Sequence, residues 1–292
     1  EMLPAHMYPE LRNHPNLAGN YGGAWQKQRD EFEAFGGAIL GSTNCVLIPF
    51  PHNTYLDRFF TTRVTAVPGA TRLTTSDFSA VIKRALEIGD LKPTAIKTST
   101  IGFHYTALLG MAGEIVEAVK AGKIKHFYVI GGCDGAEPGR NYFSEFAQAT
   151  PEDSLILTLG CGKYRIRDHD YGTINIGGTE VPRLLDMGQC NDAFGAIQVA
   201  LALAEAFDCG VNDLPLTLEI SWFEQKAVAV LLSLLHLGVK GIRLGPALPA
   251  FVTPNVLKLL VDEYDLGPIG SDPVADVAAT LGREESAEPA MA

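Results

Sequence analysis

Residues 126–133, His126-Phe127-Tyr128-Val129-Ile130-Gly131-Gly132-Cys133, decide the fold. An apolar run of strand length that ends in glycines implies a strand buried on both faces, as in a parallel sheet. Working outward, similar strand runs occur at 154–159, 183–187, 215–220 and 241–244. Helical patterns lie between them, at 105–121, 142–147, 192–207, 224–237 and 254–263. Strands alternating with helices predict parallel pairing in a doubly wound α/β layer. The segment 168–178 is expected to be a surface loop. Upstream, 26–35 is helix-like, and Gly37-Ala-Ile-Leu-Gly41 is a short buried strand that delivers Ser42-Thr-Asn-Cys45 into a loop. Asp77 is a helix N-cap for the pattern that follows it. The polar stretch 92–104 is expected to link two domains.

The predicted fold class is therefore α/β, with two Rossmann-like domains whose mainly parallel sheets are flanked by helices. The first is expected over 1–100 and the second, doubly wound, over 101–282. Residues 283–292 are expected to form a disordered tail.

Composition narrows the function. The 292 residues are 47% hydrophobic, enough for a substantial core. Lys and Arg number 23 against 34 Asp and Glu, a formal charge of −11. That balance argues against nucleic acid or an anionic membrane as the main partner. No apolar run is long enough to span a bilayer, and the first residues lack the features of a signal peptide. A cytoplasmic setting is expected. The five cysteines are odd in number and widely spaced, which suits thiols or metal ligands better than a disulfide framework.

Three of those cysteines share one setting. Cys133 ends Val129-Ile-Gly-Gly-Cys, Cys161 ends Leu157-Thr-Leu-Gly-Cys, and Cys190 ends Leu185-Asp-Met-Gly-Gln-Cys. A fourth strand runs into Ile220-Ser-Trp-Phe-Glu-Gln-Lys, which carries Glu224 and Lys226. Ligands of open parallel sheets bind beyond the carboxyl ends of the strands. Four strands thus aim three thiols and a carboxylate at one edge, and glycines before the thiols allow close approach to a bulky group. Thiolates favour iron–sulfur or zinc chemistry, and an oxygen donor favours iron with some hard character. No Cys-x-x-Cys pair is present, against a zinc ribbon.

Each residue also has a plainer explanation. A lone strand-end cysteine is usually a small buried hydrophobe, and on local sequence alone Cys45 and Cys209 belong there. Glu224 would also serve as a helix-start carboxylate, and Lys226 as a surface charge. His6, His52 and His104 fall in loops with no ligand pattern. The glycine runs lack Gly-x-Gly-x-x-Gly after a strand, so no dinucleotide site is expected.

Seven stretches taken together resemble one family. They are Glu1-Met-Leu-Pro-Ala-His, Thr43-Asn-Cys45, Gly131-Gly-Cys-Asp-Gly135, Gly160-Cys-Gly-Lys-Tyr-Arg165, Asp186-Met-Gly-Gln-Cys-Asn-Asp192, Trp222-Phe-Glu-Gln-Lys-Ala-Val228 and Ile242-Arg-Leu-Gly-Pro-Ala-Leu-Pro-Ala-Phe251. In order, over about residues 1–281, they are similar to motifs of the hybrid-cluster proteins, also called hydroxylamine reductases or prismane proteins. Carbon monoxide dehydrogenases share the general layout, but the motifs here are closer to hybrid-cluster proteins. The longer segment between Cys161 and Cys190 departs from the family pattern.

The resemblance implies a hybrid iron–sulfur–oxygen cluster of the 4Fe-2S-2O type at the strand ends. Its ligands here would be Glu1, Cys45, Cys133, Cys161, Cys190 and Glu224, with a persulfide on Cys133 and Lys226 as proton donor. It also implies that the family's histidine ligand, and a helical domain with its own four-cysteine cluster, lie upstream of Glu1. The chain is then an N-terminally truncated, C-terminal portion, and the second cluster has no ligands in it. The implied activity is reduction of small nitrogen oxides, hydroxylamine to ammonia or nitric oxide, with a small N–O substrate and a redox donor as partners. An alternative is a cluster-free α/β scaffold that binds proteins and carries a reactive Cys133. A zinc-bound structural domain fits the donor set less well.

Overall fold

A computed structural model describes residues 3–43, 45–93, 98, 100, 103–221 and 224–286. The chain divides into two compact units, Tyr21–Thr98 and a larger one made of Glu1–Asn20 with Ser99–Ala292. The larger unit therefore takes the first twenty residues, including helix α1 (Leu3–Met7), which places His6 in a helix instead of a loop.

The smaller unit contains α2 (Gln28–Phe35), β1 (Ile39–Gly41), β2 (Phe59–Thr61), β3 (Thr71–Arg72) and α3 (Ser79–Ile88). Its three strands run parallel in the order β1-β2-β3. Ile39, Tyr55, Phe59 and Val67 form the core, with Phe32 and Phe35 of α2 packed on it. Asp77 acts close to its expected place: its Oδ1 accepts from the backbone N–H of Ser79, at 2.9 Å.

In the larger unit, the expected helix over 105–121 is two helices, α4 (Tyr105–Gly110) and α5 (Ala112–Lys120), broken at Met111. Gly110 and Gly113 flank the break, and glycine costs helix stability on both sides of it. There follow β4 (His126–Gly132), α6 (Tyr142–Ala149), β5 (Ser154–Thr158) and α7 (Lys163–Ile166). The segment expected as a surface loop holds β6 (Thr173–Ile176), which pairs as an antiparallel hairpin with β7 (Thr179–Pro182) just beyond it. Its turn is Gly177-Gly178, both at positive φ (59° and 87°), which suits a tight two-residue turn. The chain continues through β8 (Leu184–Asp186), α8 (Ala193–Ala206), β9 (Leu216–Ser221), α9 (Gln225–His236), β10 (Ile242–Gly245), α10 (Pro254–Tyr264), β11 (Gly267–Pro268) and α11 (Pro273–Ser286). Helix α11 enters the stretch expected as a tail, and residues 287–292 lie outside the described ones.

Six parallel strands form the main sheet in the order β11-β10-β9-β4-β5-β8. Phe127, Leu155 and Leu157 point into one core with α5 and α8, while Tyr128, Ile130 and Ile156 point into another with α6 and α11. Burial on both faces explains why these strands are apolar without alternation. From β4 the chain builds outward to β5 and β8, then returns to place β9 on the other side of β4. The carboxyl ends of β4 and β9 therefore flank the topological switch point, where open α/β sheets bind ligands.

A candidate metal centre at the switch point

Four adjacent strands, β9, β4, β5 and β8, run out at one edge into Glu224, Cys133, Cys161 and Cys190 respectively. The backbone there is drawn tightly together. Gly132 is bridged to Gly160, whose N–H donates to Gly188 O at 3.0 Å, and Gly162 N–H donates to Gly132 O at 2.8 Å. Gly132 sits at φ 115°, and a β-carbon there would overlap the carbonyl oxygen of Ser221. One at Gly160 would lie 2.6 Å from Gly132 O. These glycines thus allow close approach of neighbouring strand-end backbones.

Cys133 is buried, and its N–H donates to Ser221 O at 3.0 Å. Its sulfur accepts from the backbone N–H of Glu224 at 3.4 Å. Interaction with Cys133, together with burial, pushes the Cys190 thiol strongly up, while Lys163 pulls the other way. Ionising the Cys190 thiol therefore needs added positive charge, which a metal supplies. Cys161 opens the turn into α7, and Tyr164 N–H donates to its carbonyl at 3.1 Å.

Glu224 is the N-cap residue of α9, where a carboxylate also meets the positive end of the helix dipole, and its side chain makes no capping hydrogen bond. Burial raises its carboxyl pKa and lowers the ammonium pKa of half-buried Lys226, two residues further along the chain. In the smaller unit, Cys45 follows β1 in a loop held by Gln28, whose amide donates to Cys45 O at 3.1 Å and accepts from Leu47 N–H at 2.8 Å. Glu1 lies outside the described residues. Cys209 follows α8 at the opposite, amino-terminal edge of the sheet, consistent with a packing role. None of the five cysteines forms a disulfide.

Among the described residues, no three His, Cys, Asp or Glu side chains converge closely enough for a single ion. Such a site needs its donors about 2.0–2.3 Å from one point. A multi-iron cluster is held differently, by thiolates spread around several irons. The thiol-rich, part-carboxylate donor set at this edge fits such a group.

Residues the sequence reading passed over shape the site from below. Lys163 Nζ lies 2.5 Å from Asp186 Oδ1, with the two side chains 0% and 4% exposed. Asp192 accepts from Gln189 N–H (2.7 Å) and from Tyr8 Oη–H (2.8 Å), fixing the loop that carries Cys190. The only sequence signal for them was charge inside apolar strand-end motifs.

The Tyr8–Asp192 bond gives a testable pH dependence. The carboxylate pushes the Tyr8 phenol up to about 12, whereas an unfolded tyrosine ionises near about 10. The unfolded state therefore loses its proton first, and stability falls as pH rises through that window. Tyr8→Phe is expected to cost about 1 kcal/mol at neutral pH and to flatten the alkaline fall. Urea midpoints at about pH 9 and about pH 11 check this; equal slopes in both proteins would rule it out.

Comparison with known proteins agrees with the motif reading. The sequence matches the Prismane/CO dehydrogenase family over residues 1–277. A hydroxylamine reductase of Moorella thermoacetica is 57% identical over 282 residues, 97% of this chain and 64% of that protein. One of Burkholderia ambifaria is 56% identical over 284 residues, 97% of this chain and 50% of that protein. The chain thus spans between half and two thirds of the length of these relatives. Carbon monoxide dehydrogenase IV from Carboxydothermus hydrogenoformans has a similar fold, with a TM-score of 0.69 at 15% identity over 91% of this chain and 50% of that one. On the family match and these identities, the chain belongs to the prismane/CO dehydrogenase family.

Proposed function

We propose that this chain is the cluster-holding portion of a hydroxylamine reductase. The observation that carries the reading is the run of Glu224, Cys133, Cys161 and Cys190 along four adjacent strand ends at the switch point, in a chain 57% identical to a hydroxylamine reductase. In this reading those four residues, with Cys45 and Glu1, hold a hybrid iron–sulfur–oxygen cluster of the 4Fe-2S-2O type, and Cys133 carries the persulfide. When bound, the cluster supplies electrons for reducing the N–O bond.

Reduction of hydroxylamine to ammonia and water takes two electrons and two protons. Lys226 is suited to deliver a proton: burial weakens its hold on the charge, and it lies in the first turn of α9, two residues after Glu224. Nitric oxide is a second N–O substrate of the same class. A redox donor protein and a cytoplasmic setting complete the proposal; among the described residues no helix is long and apolar enough to cross a membrane.

The test is ammonia formation from hydroxylamine with an artificial reductant, comparing the anaerobically purified protein with Lys226→Ala. A loss of about a hundredfold or more at unchanged iron content is expected. Unchanged turnover would remove Lys226 from the mechanism, and no ammonia from the iron-loaded parent would remove the substrate assignment.

A further inference from the structure

We infer that Arg165 is a positioning residue for Cys133: its guanidinium clamps the loop that leaves Cys133 and so fixes where that thiol stands beside Glu224. The effect on Cys133 rests on geometry alone, and its consequence for turnover rests on the cluster reading above.

Cys133 and Asp134 leave β4 together, and both are tied to the end of β9. Cys133 N–H donates to Ser221 O at 3.0 Å and Asp134 N–H to Ser221 Oγ at 3.2 Å, while Ser221 Oγ–H donates to Gly131 O at 3.0 Å. Arg165, in α7 and four residues after Cys161, grips the same loop. Its Nε donates to Asp134 O at 2.9 Å, and its Nη2 donates to Asp134 Oδ1 at 2.5 Å and to Glu137 O. Asp134 Oδ1 also accepts from Glu137 N–H at 3.2 Å, and Arg140 Nη1 lies 3.6 Å from Asp134 Oδ2. The Arg165 and Asp134 side chains are 9% and 0% exposed.

A buried ion pair gives little net stability over apolar side chains of similar volume. What this one supplies is direction. A planar fork that meets both the main-chain carbonyl and the carboxylate of one residue fixes the backbone of that residue, which an ammonium on a flexible stem does not. The residue so fixed is bonded directly to Cys133. Held by β9 and by Arg165 together, the Cys133 sulfur stays where it accepts from Glu224 N–H at 3.4 Å.

The test compares Arg165→Lys, which keeps the cation and loses the fork, with Asp134→Asn, which removes the charge and keeps an oxygen that accepts. In metal-free protein, alkylation of Cys133 by iodoacetamide is followed by peptide mass spectrometry, with Cys209 as the internal reference. Arg165→Lys is expected to speed modification of Cys133 about tenfold or more relative to Cys209, the scale of one lost charge-assisted hydrogen bond. In iron-loaded protein the same variant is expected to lower kcat for hydroxylamine by about tenfold or more with KM little changed. Asp134→Asn is expected to stay near the parent in both measurements. Parent-like alkylation of Cys133, or a parent-like kcat in iron-loaded Arg165→Lys, overturns the inference. So does an equal rise in reactivity at Cys209, the mark of a merely structural role, and so do equal defects in both variants, which would assign the effect to charge. If Arg165→Lys holds no iron, the alkylation rates decide. A parent without iron overturns the cluster reading, and the alkylation rates still decide whether Arg165 positions Cys133.

Discussion

Gly132→Ala is expected to destabilise the larger unit by about 4 kcal/mol, a large part of the roughly 5–15 kcal/mol that holds a domain folded. Two costs combine. At φ 115° an alanine is strained, by about 1–3 kcal/mol. Its β-carbon would also overlap Ser221 O and lie 2.8 Å from Ser221 N, for a further ~1–3 kcal/mol of overpacking. Ser221 cannot yield easily, because β9 is paired on both sides and its carbonyl holds Cys133 N–H. Gly122 offers a control. It too has positive φ (70°), but nothing lies within 4 Å of its added β-carbon. Gly122→Ala is expected to cost only about 1–2 kcal/mol. Urea denaturation of both variants reads the difference, and equal losses would show that the Ser221 contact is unimportant.

Lys163→Met carries the second large effect. Taking one partner from a buried ion pair leaves the other charged in a medium that cannot solvate it, at a cost of about 3–5 kcal/mol. Among the described residues, Asp186 then retains only the Gly188 N–H as a donor, and its other oxygen lacks a partner. Adding Asp186→Asn is expected to recover most of the loss, because a neutral amide is far less costly to bury. Thermal midpoints of the parent, single and double variants give the coupling directly. Additive losses, with no recovery in the double variant, would mean that the two side chains act independently.

Much of the sheet was legible because burial on both faces leaves an apolar run such as 126–130 with no other good use. The site was legible for a related reason: parallel strands share a direction, so residues following four strands must share an edge. What escaped was local. The hairpin at 173–182 alternates Ile174 and Ile176 inward with Thr173 and Asn175 outward, yet its charged flanks and paired glycines resemble a loop. The break at Met111 depends on glycines within an otherwise regular helical period. Helix α11 has a plain start, Asp272-Pro273, with Asp272 Oδ1 accepting from Val274 and Ala275 N–H. The Lys163–Asp186 contact spans 23 residues and depends on strands β5 and β8 being neighbours, which order along the chain does not specify.

Iron and acid-labile sulfide per chain, measured after strictly anaerobic purification, test the cluster assignment most directly. Several irons per chain with matching sulfide, lost on Cys161→Ser, is the expected result. Protein that carries neither iron nor sulfide would contradict it.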